Sequence, residues 1–310
     1  MLITYSLSDI SDYIDWLYFF HAWGFPPKYA EIATIHGCDA CRHAWVSRFP
    51  TDERQRAQEA INLFSDAQRE LSRMSRHVSI RCLVELYSAC SKDEDILLFL
   101  DGESTPIVLP MLRQQRPGQD GYCLCLSDFL PEESDGERGK LGLFATSVTN
   151  STPPISSSES VRPAIGSITN QDAYHSMLVQ TLSDRLAEAG AERLHQEVRT
   201  KIWGYCKDEK LAIGDLLHCR YQGIRPAVGY PCLPDISLNF LLDSVLDLSR
   251  IGIDLTEHGM MIPHASVSGL MFSAPEARYF AVGSVSDDQL SDYARRRGMA
   301  PTEIRKYIKC

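Results

Sequence analysis

An arginine set among prolines and glycines is the most chemically suggestive feature of the chain. Tyr221–Pro231 reads YQGIRPAVGYP, with one cation, two glycines, two prolines and two tyrosines. Prolines fix φ and remove backbone donors, while glycines let another group approach the main chain closely. The segment is therefore expected to be a shaped loop carrying one guanidinium, Arg225. A guanidinium grips a carboxylate or phosphate through two parallel hydrogen bonds. Taken alone, the same stretch also reads as a surface turn that contains an arginine.

Other groups invite the same question. His36-Gly37-Cys38-Asp39-Ala40-Cys41-Arg42-His43 holds a C-x-x-C flanked by histidines, the donor set of zinc or thiol redox chemistry. Four ligands within so short a run do not readily close one tetrahedron, and the sequence has no second C-x-x-C. The spacing favours a loop-plus-helix insertion with incidental thiols, and no metal site is expected. Asp93-Glu94-Asp95 precedes an apolar run and reads as a solvated turn. Glu188 sits among Leu and Ala residues, where a helical partner such as Arg185 would satisfy it. Tyr279-Phe280 opens a late apolar stretch, and His258 and His264 read as core or rim residues. Signatures for dinucleotides, P-loop phosphates, a serine nucleophile elbow, zinc proteases, EF-hands and cobalamin (D-x-H-x-x-G) are missing.

These groups need positioning elements. Residues 8–24 read as an aromatic-rich helix closed by Gly24 and Pro26-Pro27. Residues 52–76 read as a helix with Ala57, Ile61, Phe64, Ala67 and Leu71 on one stripe. Strands are expected at 81–89, 95–100, 106–109, 121–126 and 141–148, with Cys82 and Cys90 bracketing the first and Cys123 and Cys125 alternating along another. A Ser/Thr/Pro-rich connection, expected to be flexible, covers about 147–170. A long helix then runs over 172–203, capped by Asp172. Shorter helices follow at 208–219 and 237–250, then strands at 265–272 and 278–285 joined by a turn at Ala274-Pro275. Ser286 and Gln289 form a capping-box pattern opening a helix over 287–297, with Gly298 at its end. Helices and strands outside a βαβ order point to an α+β fold with an antiparallel or mixed sheet.

Bulk properties set the class. The 310 residues are 44% hydrophobic and 23% charged, ordinary for a globular protein. A net charge of −10 argues against nucleic acid, which needs a concentrated basic face. No apolar run is long enough for a membrane span. The N-terminal stretch lacks a basic region and is cut by Asp9, Asp12 and Asp15, so a cytoplasmic protein is expected. The ten cysteines are not spaced as a disulfide scaffold and fit reduced thiols.

Longer stretches carry a resemblance. Leu182–Arg199, Trp203-Gly204-Tyr205 and Tyr221–Pro231 are similar to the activation domain of cobalamin-dependent methionine synthase. Leu255-Thr256-Glu257, Ala265–Gly269, Arg278–Val282 and Asp292–Met299 continue it in register. Upstream, Asp12–Trp16 and Leu112–Gln115 also fit, so the likeness spans nearly the whole chain.

The resemblance implies a single C-shaped α+β domain over 1–310. Its frame would be a twisted antiparallel sheet with flanking helices and a helical part at about 1–78. It implies S-adenosylmethionine as the ligand, and cobalamin met only through a partner: a corrinoid protein or methionine synthase modules. A flavodoxin- or ferredoxin-type donor would supply the electron for methyltransferase chemistry that reactivates oxidised cobalamin. The matching positions are Asp95, Glu188, Arg225, Ala227, Gly229, Tyr230, Tyr279 and Phe280. Arg225 would take the ligand carboxylate and Asp95 its ammonium, with Asp93 as substitute. Glu188 and Tyr279 would face the sulfonium, and backbone groups of Ala227 and Gly229 the adenosine. Three departures stand out. Ile236 replaces an expected His in the cobalamin-facing stretch, Ile262 replaces a Trp before Pro263, and His36–Pro50 looks inserted.

Overall fold

The protein is described by a computed structural model that covers residues 1–118, 121–150 and 170–308. Most of the connection expected over 147–170 falls outside these residues, as does the Asp172 side chain. The described residues group into two compact units. One draws on Met1–Ile3, Arg81–Ser147 and Ala191–Cys310, the other on Thr4–Ile80 and Val148–Gly190.

The first unit is framed by a six-stranded sheet. Its strands are β1 (Leu2–Ser6), β2 (Val78–Lys92), β3 (Asp95–Phe99), β4 (Ile107–Pro110), β5 (Gly139–Asn150) and β8 (Ser266–Met271), with a separate ladder of β6 (Asp254–Leu255) and β7 (Met261–Ile262). The order is β4-β3-β2-β5-β8, with β1 also on β2. The β2–β3, β3–β4 and β5–β8 ladders are antiparallel, as expected of this α+β fold. Leu109 of β4 and Leu270 of β8 stand at opposite ends of that order, yet both line one small apolar cavity with Met111, Val228 and Leu233. The sheet therefore curls, and its concave side carries the main core, where Leu83, Ile96, Leu98, Leu143 and Phe272 are buried.

The acidic run 93–95 closes the β2–β3 hairpin, because Lys92 pairs with Asp95 and leaves Asp93-Glu94 as a two-residue turn. Asp93 takes the left-handed conformation (φ 53°) that such turns require. Glu94 and Asp128 share Arg113 at 2.9 and 2.8 Å.

The second unit is helical with an aromatic core. The helix expected over 8–24 is broken: Leu7–Ile10 is one short turn and Trp16–Ala22 a separate helix. Asp15 causes the restart, since its carboxylate accepts the Leu17 and Tyr18 amides as an N-cap. The Arg54–Met74 helix forms as expected, burying Ala57, Ile61 and Ala67. Its Phe64 ring packs edge-on to Trp16 at 4.8 Å. No helix among the described residues is long and apolar enough to cross a membrane.

Several expected elements differ. Residues 121–126 form no strand, because Gln114 and Arg113 hook the Leu124 amide and the Cys123 carbonyl instead. The helix expected over 208–219 is confined to Ile213–Leu217, and that over 237–250 ends at Leu246. Asp243 ends the latter by accepting the Leu248 amide, while Asp247 turns left-handed. Residues 278–285 are irregular rather than a strand, for reasons given below. The Asp287–Arg297 helix ends at left-handed Gly298 as expected, but no capping box forms. Ser286 bonds Gln115 and Asp288, and Gln289 donates to the Arg113 carbonyl. The described cysteines are free thiols, with Cys82, Cys90, Cys125 and Cys232 buried as small hydrophobes. Cys82 and Cys90 lie within β2 rather than at its edges.

Candidate functional site

The Arg225 loop is not a free surface turn, because its backbone is laid along β8. Ile224 and Phe272 exchange both amide bonds at 3.0 and 2.9 Å. Val228 donates to Ser268 at 2.9 Å and Leu270 donates to Pro226 at 3.0 Å. Two glycines make this approach possible. A Cβ on Gly269 would stand 2.2 Å from the Pro226 carbonyl oxygen, and one on Gly223 would stand 2.2 Å from that of Phe272. Gly223 also has φ +82°, which side-chain-bearing residues rarely adopt. The loop closes on itself when Gly229 donates to Leu233 at 2.8 Å and Leu233 to Tyr230 at 2.8 Å.

Arg225 is held at both ends. Its amide donates to the Tyr279 hydroxyl at 3.0 Å. Its guanidinium meets Glu192 Oε2 through Nη2 at 2.8 Å and Nε at 3.3 Å. Both side chains are largely buried, at 14% and 4% exposure, so this pair is little screened by solvent. Tyr279 leaves part of its ring exposed but turns its hydroxyl inward. Lost hydration raises that hydroxyl's pKa, and Arg225 partly offsets the rise.

Glu192 belongs to a buried polar stripe that the sequence reading passed over. The Asn170–Glu197 helix continues into a wider π-type turn, Val198–Ile202. Glu192, His195 and Arg199 follow one another at helical spacing, and all three are buried. Arg199 is forked onto Glu209 at 2.8 and 2.9 Å and stacks 3.9 Å from the centre of the Tyr221 ring. His195 lies edge-on to that ring, with Tyr205 Oη 3.4 Å from Nε2. Burial keeps His195 neutral, and Arg199 and Arg225 push its pKa lower still. The i, i+3, i+7 spacing was the available signal, hidden because polar residues on a helix usually mark its wet face.

The 278–285 segment serves the loop rather than a ladder. Phe280 N–H donates to Cys232 Sγ at 3.0 Å, and the Val282 amide donates to Pro231 at 2.9 Å. Gln114 takes the Ala281 carbonyl at 2.9 Å. With its bonds spent on side chains and the loop, the segment stays irregular. Phe280 packs against the main core, near Phe129 at 6.4 Å, while Tyr230 is exposed.

The loop rests on a second anchor. Asp235 is buried and accepts the Ser237 amide and hydroxyl on one oxygen and Tyr293 Oη on the other, at 2.9, 2.6 and 2.7 Å. Ile236, where the resemblance predicts His, is a core residue, and its methyl lies 3.2 Å from a Cβ placed on Gly229. Burial of such a side chain contributes about 1.5–3 kcal/mol, which an unpartnered imidazole would not match. Position 236 here supports the underside of the loop.

Arg225, Ala227, Gly229, Tyr230, Tyr279 and Phe280 thus come together in one unit. Asp95 is in the same unit, its carboxylate on Arg296 at 2.5 Å. Arg296 also donates to the carbonyl of Met111, which lines the same cavity as Val228 and Leu233. Glu188 falls in the second unit, half-buried and one helical turn before Glu192.

Antiparallel sheet, helices and a loop-borne arginine seated on β8 define an α+β fold. Residues 6–298 match the family described as vitamin B12 dependent methionine synthase, activation domain. The chain belongs to that family. It is also similar to a solved structure described as the crystal structure of the MetH reactivation domain bound to AdoHcy. Identity is 32% and the TM-score 0.80, over 99% of this chain and 88% of that one.

Proposed function

We propose that this chain binds S-adenosylmethionine at the Arg225 loop and supports reductive methylation of cob(II)alamin carried by a separate corrinoid protein or by methionine synthase modules. The observation that carries the reading is the way Arg225 is held, with its amide on Tyr279 and its guanidinium on Glu192, within a loop locked to β8. The likeness to a domain bound to AdoHcy, the demethylated form of the proposed ligand, supports it.

Arg225 would take the ligand carboxylate in a charge-assisted hydrogen bond. Asp95 would accept the ammonium beside Arg296, since a carboxylate has room for several donors. One electron from a flavodoxin- or ferredoxin-type donor reduces Co(II) to Co(I). The cobalt electron pair then forms the bond to the methyl carbon as the S–CH3 bond breaks, leaving its pair on sulfur as the neutral thioether. The chain's own contribution is aim: it holds the methyl in line and adds no acid or base.

A second reading has one observation behind it. With Ile236 buried in place of the expected His, the chain would be a binding module that keeps the ligand and has lost reactivation. The test for both is calorimetric titration with S-adenosylmethionine, followed by mixing with a cob(II)alamin-loaded corrinoid protein and a low-potential reductant. Binding with growth of the methylcobalamin spectrum is expected. Binding without it selects the second reading, and no binding sinks both.

A further inference from the structure

The histidine- and cysteine-bearing segment before Trp45 does nothing for the Arg225 loop, yet its donors converge. One ligand atom from each of His36, Cys38 and Cys41 lies within 4.8 Å of the other two. Ligands at zinc bond lengths in a tetrahedron stand roughly 3.6–3.8 Å apart, so small side-chain rotations close the set. We propose that His36, Cys38 and Cys41 form a three-ligand site for a zinc-class divalent cation, with water in the fourth position.

Local structure explains the convergence. Cys38 is the N-cap of the Asp39–Ser47 helix, and its sulfur accepts the Cys41 amide at 3.3 Å. The cap turns Cys38 back over the first helical turn, where Cys41 sits, and His36 approaches from the preceding loop. Spacing judged along an extended chain made these ligands look too close together, and the helix start removes that objection. The platform beneath is firm. Trp45 is fully buried, donates to Glu31 at 3.2 Å and packs edge-on to Phe49, which stacks on Tyr29. The upper side is open, with His36 exposed and both cysteines half-buried, so an ion can enter.

The donor set selects the ion. Two thiolates and a neutral imidazole balance a divalent charge and suit zinc, whereas calcium and magnesium need oxygen ligands. A C-x-x-C disulfide would need an oxidant and would leave the approach of His36 without purpose.

The test uses the full chain, reduced and stripped with chelator, titrated with Co2+ and then with Zn2+ against a chromophoric competitor. One equivalent of cobalt is expected, with thiolate charge-transfer bands and the strong visible bands of four-coordination, displaced by zinc. Cys38→Ser and Cys41→Ser should each lose the charge-transfer intensity and bind zinc at least about 100-fold more weakly, beyond what outer-shell changes cause. His36→Asn should keep charge transfer but weaken binding about 10-fold or more. Cys219→Ser, an exposed thiol elsewhere, should change nothing. Circular dichroism confirms that each variant is folded. The proposal fails if reduced wild-type protein shows no bands or if they survive in the Cys38→Ser/Cys41→Ser double variant. An unchanged affinity in His36→Asn overturns it as well.

Discussion

Asp235 and Glu192 are both buried carboxylates facing an arginine, and they are built differently. Asp235 receives three hydrogen bonds from Ser237 and Tyr293, with Arg297 Nε 3.4 Å away. Glu192 gives Oε2 to Arg225, while its buried Oε1 accepts no hydrogen bond among the described residues. A fully satisfied buried charge fixes structure. An incompletely satisfied one costs free energy, and folds tolerate it chiefly where a site needs it. On the proposed function, the contrast separates the anchor of the loop from its working end.

The largest expected effect is at the anchor. Asp235→Ala should destabilise the protein by about 3–5 kcal/mol, because it leaves Arg297 and Tyr293 buried without their partner. Denaturant melts measure this, and a loss no larger than that of a surface substitution would erase the contrast. At the working end, Arg225→Ala should weaken S-adenosylmethionine binding by about 1.5–3 kcal/mol in calorimetry. Equal affinity in a variant still folded would refute the assigned site. Tyr279→Phe removes one hydrogen bond to the Arg225 amide and should cost about 0.5–1.5 kcal/mol, seen as a modest rise in Kd. A loss as large as that of Arg225→Ala would mean that the hydroxyl itself meets the ligand.

The smallest effect is a pH slope. Burial holds the native His195 below its ordinary pKa of 6.5. As pH falls through that value, the unfolded chain takes up a proton that the native one refuses, so stability declines toward acid pH. Melting points between neutral and mildly acidic pH should fall less steeply in His195→Gln than in the wild type. Parallel slopes would show that the stripe behind Glu192 is not buried as described.

What was legible in the sequence follows from what kind of signal each part leaves. The Arg54–Met74 helix and strands β2 to β5 announce themselves through apolar periodicity, and the loop through its prolines and glycines. The partner of Arg225 was hidden because a buried glutamate at helical spacing is indistinguishable, in one sequence, from an exposed one. The 278–285 strand failed because alternation describes side chains, whereas Cys232, Pro231 and Gln114 decide where those backbone bonds go. Asp95 was expected to wait for an ammonium. Its pairing with Arg296, far along the chain, follows from the curl of the sheet and leaves no local trace.

The seating of the Arg225 loop on β8 has a thermodynamic consequence. A binding loop that is free in solution must surrender its conformational entropy when the ligand arrives, which lowers affinity. Here the backbone around Arg225 is ordered by main-chain bonds on both sides of it, so that entropy is lost during folding. In the proposed site, the guanidinium would meet its ligand already preorganised. It also follows that a side chain added at Gly269 would act on affinity for the proposed ligand by loosening the loop above it.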